Sequence, residues 1–176
     1  MAVLRKPKSN NSDGSSINSV EDLYQLAREK SITCLPIDLA KLASLLQIKI
    51  MGAKLDETVS GVLKKDPAGV WTVLYNEGQS YVRSRFTIAH ELAHFCLHRG
   101  NRDNFEDDVF FRTESSDWME KEANRFAGEL LMPRDEFKKA VDQGITNIDE
   151  LARRFAVSTY AVRVRAKELG YKGHGL

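Results

Sequence analysis

The sequence predicts an α+β fold that is mainly helical, with a small three-stranded antiparallel sheet and a C-terminal helix-turn-helix-like hairpin. Apolar residues repeat at intervals of three and four before residue 46 and again after residue 83, which is the period of amphipathic helices. Between residues 47 and 78 the pattern alternates and is interrupted by glycines, as in short strands. Helices, then strands, then helices is the order of an α+β domain.

Size and composition describe an ordinary globular protein. The chain has 176 residues, of which 26 are basic and 25 acidic, so the net charge of +1 gives no general argument for binding nucleic acid or a membrane surface. Its two cysteines, Cys34 and Cys96, are far apart and form no CxxC motif, which favours a reducing compartment. The N-terminus lacks the apolar region of a secretory signal, and no run is long enough to span a bilayer. We therefore expect a cytoplasmic protein with no membrane partner.

The elements follow in order from these patterns. Residues 1–18 are polar and rich in Ser, Asn and Lys, and we expect a disordered tail. A peptidase-sized domain is predicted over residues 19–144, and a helical hairpin packed on it over 145–176. Within the first, one helix carries the stripe that starts at Val20, and Pro36 is predicted to open a second.

Three strands are predicted in "QIKIMG", "VSGVLKKD" and "GVWTVLYNEG", with turns at residues 66–69 and 76–78. The connections are too short for helical crossovers, which favours antiparallel pairing. The later helices are predicted near residues 83–98, 117–132, 133–143, 148–155 and 159–169.

The stretch "RFTIAHELAHFCLH", residues 85–98, contains the motif HExxH in an otherwise apolar helix. His90 and His94 lie one turn apart on the same face, so both imidazoles can reach one ion. Glu91 is rotated about 100° from His90 and is placed to act on a water molecule rather than to bind the ion. The alternative is two core histidines with ordinary partners, but two histidines and a glutamate are costly to bury without a shared purpose.

A third ligand must come from elsewhere in the chain. His98 continues the series, but three histidines at this spacing cover about 12 Å of helix axis and cannot easily close on one ion. A supporting polar role is the better interpretation of His98. The helix "WMEKEANRFAGELLMP" offers Glu120 at the edge of its apolar face, whereas Glu122 lies on its polar side. Glu120 is the preferred ligand and Glu122 is the alternative; the competing interpretation of Glu120 is a plain surface carboxylate.

These two blocks, "RFTIAHELAHFCLH" and "EKEANRFAGELLMP", resemble those of the ImmA/IrrE-type zinc metallopeptidases, with Ala93 where many relatives have Gly. The resemblance implies a zincin-like, gluzincin-type peptidase domain that uses Zn²⁺. It implies zinc ligands at His90, His94 and Glu120, and Glu91 as the catalytic base. It also implies a bacterial or phage setting and a helix-turn-helix transcriptional repressor as the protein substrate.

Other assignments stay open on sequence alone. Tyr81, Arg112 and His98 are candidates, by residue type only, for stabilising an oxyanion. The segment "NIDELARRFAVSTYAVRVRAKELGY" is basic and resembles a helix-turn-helix unit, so direct DNA binding is possible, although a hairpin completing the domain is favoured. Two further functions remain: a non-proteolytic zinc-containing regulator that binds DNA or a repressor, and the toxin of a toxin–antitoxin pair.

Overall fold

The structure is a computed structural model that describes residues 17–32, 35–100, 104–106 and 114–171. Over 104–106 and 114–117 it describes the backbone. The predicted disordered tail lies outside these ranges except for its last two residues, and so do Cys34 and Arg112. Within the described residues, no helix is both long enough and apolar enough to cross a bilayer.

The described chain forms helices and strands in the order helix, sheet, helix, as the sequence predicts. Two helices come first, followed by three strands, a long helix, a short fourth strand and four more helices. The elements are α1 (Val20–Glu29), α2 (Leu39–Leu45), β1 (Lys49–Ala53), β2 (Gly61–Lys65), β3 (Trp71–Asn76), α3 (Tyr81–His98), β4 (Asn104–Glu106), α4 (Glu114–Leu131), α5 (Arg134–Asp142), α6 (Ile148–Phe155) and α7 (Thr159–Glu168).

The sheet differs from the three-stranded antiparallel sheet that the sequence predicts. Its strand order is β1-β3-β2-β4, and it is mixed: β3 pairs parallel with β1 and antiparallel with β2, while β4 pairs antiparallel with β2. β1 and β3 can pair in parallel without a helical crossover because β2 lies between them in the chain and runs in the opposite direction. In the sheet, β2 pairs on the far side of β3. β4 lies in a polar stretch that shows no alternation of apolar residues, which is why it was not predicted.

The second helix begins at a different residue from the one predicted. Asp38, not Pro36, precedes its first residue, and the Asp38 carboxylate accepts a hydrogen bond of 3.0 Å from the Lys41 backbone N–H. A side-chain oxygen that satisfies an unpaired N–H of the first turn fixes where a helix starts. That bond also lowers the pKa of Asp38.

The third helix is the centre of the molecule. α3 packs against the sheet through β2 and β3 and against α4. Its Ala89, Leu92 and Ala93 are fully buried, and α4 offers the equally buried Ala123 and Ala127. Small side chains let two helices approach closely, and this close approach brings the polar residues of α3 and α4 within reach of each other.

The last two helices are tied to the rest of the molecule by two buried arginines. Arg165 on α7 donates from Nε to the Met132 carbonyl oxygen at 3.0 Å. Arg85 on α3 donates from Nε to the carbonyl of Ala156, in the turn between α6 and α7, at 3.2 Å. Its Nη2 donates to the Ile37 carbonyl at 3.1 Å. The arginine of the "RF" pair therefore links α3 to the segment before α2 and to the turn between α6 and α7.

Candidate metal centre

The two histidines of the HExxH motif converge on one point. His90 and His94 are buried on α3, and their Nε2 atoms are 3.0 Å apart. The i, i+4 spacing places the rings on one face of the helix, as the sequence predicts. Two imidazole Nε2 atoms facing each other this closely mark a place where both lone pairs can be directed at one ion.

Glu120 completes the group from α4. Its Oε2 lies 3.1 Å from His90 Nε2, and its Oε1 lies 3.2 Å from His94 Nε2. The three residues form the single set of potential metal-binding side chains found among the described residues. The close packing of α3 on α4 thus brings together the three residues that the sequence marks as ligands.

The spacing of these atoms suits a zinc ion. Metal–ligand bonds of 2.0–2.1 Å at tetrahedral angles place neighbouring ligand atoms about 3.3 Å apart. The 3.0 Å separation of the two Nε2 atoms is close to that value, and each imidazole has one Glu120 oxygen at a similar distance: Oε2 at 3.1 Å from His90 and Oε1 at 3.2 Å from His94. Two imidazoles and one carboxylate are also a donor set that zinc accepts, and three protein ligands leave a fourth position open.

The pKa shifts of His94 and Glu120 also favour binding of a cation. Burial, opposed by the hydrogen bond to Glu120, lowers the pKa of His94, which favours the neutral ring that can bind a metal. Burial acts to raise the pKa of Glu120, but hydrogen bonds from both histidines outweigh it and hold that pKa well below its usual value. The group thus combines a carboxylate that stays ionised with a histidine, His94, whose neutral form is favoured, and both are forms that can bind a cation.

A second set of polar contacts lies behind the two rings. His90 Nδ1 donates to Asn124 Oδ1 at 3.1 Å, so Asn124 supports the ring of His90. His94 Nδ1 lies 3.0 Å from His98 Nδ1, and His98 Nε2 lies 3.1 Å from Glu122 Oε2. His98 and Glu122 therefore contact each other, outside the three-residue group.

Glu91 is buried on α3 and lies against the sheet. A Cβ built on Gly61 of β2 would overlap the Thr87 methyl group and lie 3.1 Å from Glu91 Oε1. One residue earlier, Ser60 Oγ accepts a 2.9 Å hydrogen bond from Arg83 Nη2. The site thus requires a glycine at position 61. Sequence reasoning did not single out this residue, although a glycine inside a strand is a known sign of close backbone approach.

The oxyanion candidates fare differently. Tyr81 is the first residue of α3 and exposed, nine residues before His90 and hence about 13 Å away along the axis. His98 directs its ring nitrogens toward His94 and Glu122. Arg112 lies outside the described residues. The assignment of an oxyanion-stabilising residue therefore stays a prediction.

A helix-borne HExxH motif with a glutamate from a later helix beside its two histidines is an arrangement typical of HExxH metallopeptidases. Residues 43–167 match the IrrE N-terminal-like domain, a peptidase family. The chain belongs to that family, and its assignment to a peptidase-type hydrolase rests on this membership.

Two similar proteins add context. Over 94 residues the chain is 34% identical to "uncharacterized immunity region protein 2" of Bacillus phage phi105, covering 53% of this chain and 57% of the phage protein. A solved structure of a Mycobacterium tuberculosis transcriptional regulator superposes with a TM-score of 0.56 at 24% identity. That match covers 82% of this chain and 46% of the regulator and shows a shared fold. The chain thus spans about half the length of either protein.

Proposed function

We propose that the protein is a zinc-dependent endopeptidase that hydrolyses a peptide bond in a regulatory protein. The observation that carries this proposal is the convergence of His90, His94 and Glu120 within 3.2 Å of one another, with Glu91 next to His90 in the chain. The family supports peptidase chemistry, and the donor set supports zinc.

Each residue has a defined task in this proposal. His90, His94 and Glu120 would hold the ion and leave one position open. When bound, zinc supplies Lewis acidity at that position. Glu91 accepts a proton from the attacking water and returns it to the amine nitrogen of the leaving peptide. Glu91 is buried, and its Oε1 lies close to Gly61 of β2.

The proposed substrate is a helix-turn-helix transcriptional repressor of a phage, a mobile element or a stress regulon, and the proposed compartment is the cytoplasm. The similarity to a phage protein named for its immunity region supports this class of substrate. We further propose that residues 19–144 form the peptidase domain and that 145–176 form a hairpin packed on it, supported by the contacts of Arg165 and Arg85.

Substitution of Glu91 by Gln tests the peptidase activity. The variant keeps the shape of the side chain but cannot take the proton, so we expect cleavage of a repressor encoded beside this protein to fall by at least about 100-fold. Zinc content, measured by elemental analysis, should equal that of the wild-type protein, because Glu91 is not a ligand.

The proposal would be contradicted if the wild-type protein binds zinc and the Glu91→Gln variant relieves repression as well as the wild type does. It would favour a non-proteolytic regulator. Arrest of growth on expression without any repressor would instead favour a toxin.

A further inference from the structure

We propose that His98 and Glu122 are positioning residues that set the tautomer and orientation of His94 for metal binding. The proposal deepens the zinc site and rests on the proposed function. Glu122, His98 and His94 form a continuous chain of contacts that ends at the ion-facing Nε2 atom of His94.

The contacts run from the protein surface to the centre of the site. Glu122 Oε2 lies 3.1 Å from His98 Nε2, and His98 Nδ1 lies 3.0 Å from His94 Nδ1. The His98 side chain is 1% exposed, whereas that of Glu122 is 50% exposed. A fully buried imidazole needs partners for both nitrogens, and these two residues supply them.

The direction of each hydrogen bond follows from one condition. If His94 directs its Nε2 lone pair at the ion, its single proton must be on Nδ1, and that N–H then donates to His98. His98 Nδ1 must carry a lone pair to accept, so its proton is on Nε2. That N–H donates to the Glu122 carboxylate, which can only accept. Glu122 thus selects one tautomer of His98, and His98 selects one tautomer of His94.

The ring of His98 is also held from the side. The Trp118 ring packs edge-on against it, with centroids 5.5 Å apart and an interplanar angle of 90°. Trp118 and Glu122 lie one turn apart on α4, so a single helix face fixes both the plane of the His98 ring and its Nε2 partner. This accounts for a third histidine one turn beyond the motif, where it is too distant to bind the same ion.

The two metal-facing rings therefore have different supports. His90 donates directly to the neutral amide oxygen of Asn124, whereas His94 is connected through an imidazole to a carboxylate. A negative group at the end of such a chain strengthens the donor nitrogen at the other end. We expect the carboxylate at position 122 to contribute to zinc affinity although it touches no ligand atom of the ion.

The tautomers are measurable in the zinc-loaded, full-length protein by ¹⁵N NMR of the imidazole nitrogens. The proposal requires His94 to be protonated at Nδ1 and His98 to be protonated at Nε2 and bare at Nδ1. A proton on His98 Nδ1 in the zinc-loaded protein would overturn it.

Zinc affinity provides the second measurement, by competition with a chromophoric chelator. Glu122→Leu should weaken binding of Zn²⁺ by about 10-fold to 100-fold, the usual effect of losing such an outer partner. Glu122→Gln keeps an oxygen that accepts from His98 Nε2, so it should recover most of that loss. Because Glu122 is half exposed, neither change should prevent folding, which circular dichroism checks.

Glu129→Leu is the matched control. Glu129 is on the same helix, is similarly exposed at 43%, and pairs with the buried Arg165 at 3.4 Å. Its loss should lower the free energy of unfolding and leave zinc affinity unchanged. If the wild-type protein binds no zinc, the proposed function is wrong, and so is the positioning role of His98 and Glu122. If the wild-type protein and Glu122→Leu bind zinc equally well, only the positioning role is wrong.

Discussion

Glu120 is the residue on which the proposed site depends most directly, because its two carboxylate oxygens reach both imidazoles from a different helix. We expect Glu120→Ala to lose zinc under conditions in which the wild-type protein retains it, as measured by elemental analysis after gel filtration. Glu122→Ala should retain more zinc than Glu120→Ala. The opposite order would show that Glu122 is the third ligand.

Cys96 gives a second test at the scale of a single residue. It is buried on α3, and burial raises the pKa of its thiol to about 12. Because the thiolate is the reactive form, we expect native Cys34→Ser protein to resist alkylation by iodoacetamide at pH 8. The same protein in urea should react at once. Rapid labelling without denaturant would show that α3 opens locally.

Residue identities at the site could be predicted because helix geometry is regular. A fixed rotation per residue separates His90 and His94 from Glu91, and it places Glu120 at the edge of the apolar face of its helix. The contact between His98 and Glu122 could not be predicted in this way. It depends on the distance between α3 and α4 and on side-chain rotamers, neither of which the period of a single helix defines.

At the scale of elements, the packing of α3 on β2 sets the position of Glu91. We expect Gly61→Ala to lower peptidase activity by about 10-fold or more, because the added methyl would displace Thr87 and the Glu91 carboxylate. Zinc content should not change, since the three atoms nearest to the added methyl belong to Thr87, Glu91 and Leu74, none of which is a proposed ligand. Activity is measured on the same substrate as for Glu91→Gln.

Gly128→Ala is the control for this substitution. Gly128 lies within α4, and a Cβ there would meet nothing within 4 Å. Alanine is a better helix former by about 1 kcal/mol, so this variant should be slightly more stable and fully active. Equal loss of activity in both variants would show that the effect of Gly61→Ala is not specific to Glu91.

Elements were easier to predict than their pairing. The positions of the helices and of the first three strands follow from the period of apolar residues. The partner of each strand does not, because β1 carries the same alternating pattern whether it pairs with β2 or, as observed, with β3. The parallel register of Lys49 with Thr72 is a tertiary feature that the pattern of β1 alone does not define.

At the scale of the whole molecule, Arg165 connects the C-terminal hairpin to the centre. It is 4% exposed and contacts Met132, Glu129 and Glu168. We expect Arg165→Met to lower the free energy of unfolding by about 2–4 kcal/mol, mainly because it leaves the buried Met132 carbonyl without its donor, and to a smaller extent because two partly exposed carboxylates lose their partner. Urea denaturation measures this change.

Arg163→Met serves as the comparison on the same helix. Arg163 is exposed, so its removal should change the free energy of unfolding by less than about 0.5 kcal/mol. Similar losses in the two variants would show that the buried contacts of Arg165 do not hold the hairpin in place.

The two helices that carry the three proposed ligands are separated in the chain by the segment 99–113, yet their side chains meet at one point. An ion held there would act as a cross-link between α3 and α4, and binding to the folded state alone adds to its stability by mass action. Resistance to heat would then rise with the supply of zinc. In a cell, the lifetime of the protein would follow the availability of the metal, before any substrate is encountered.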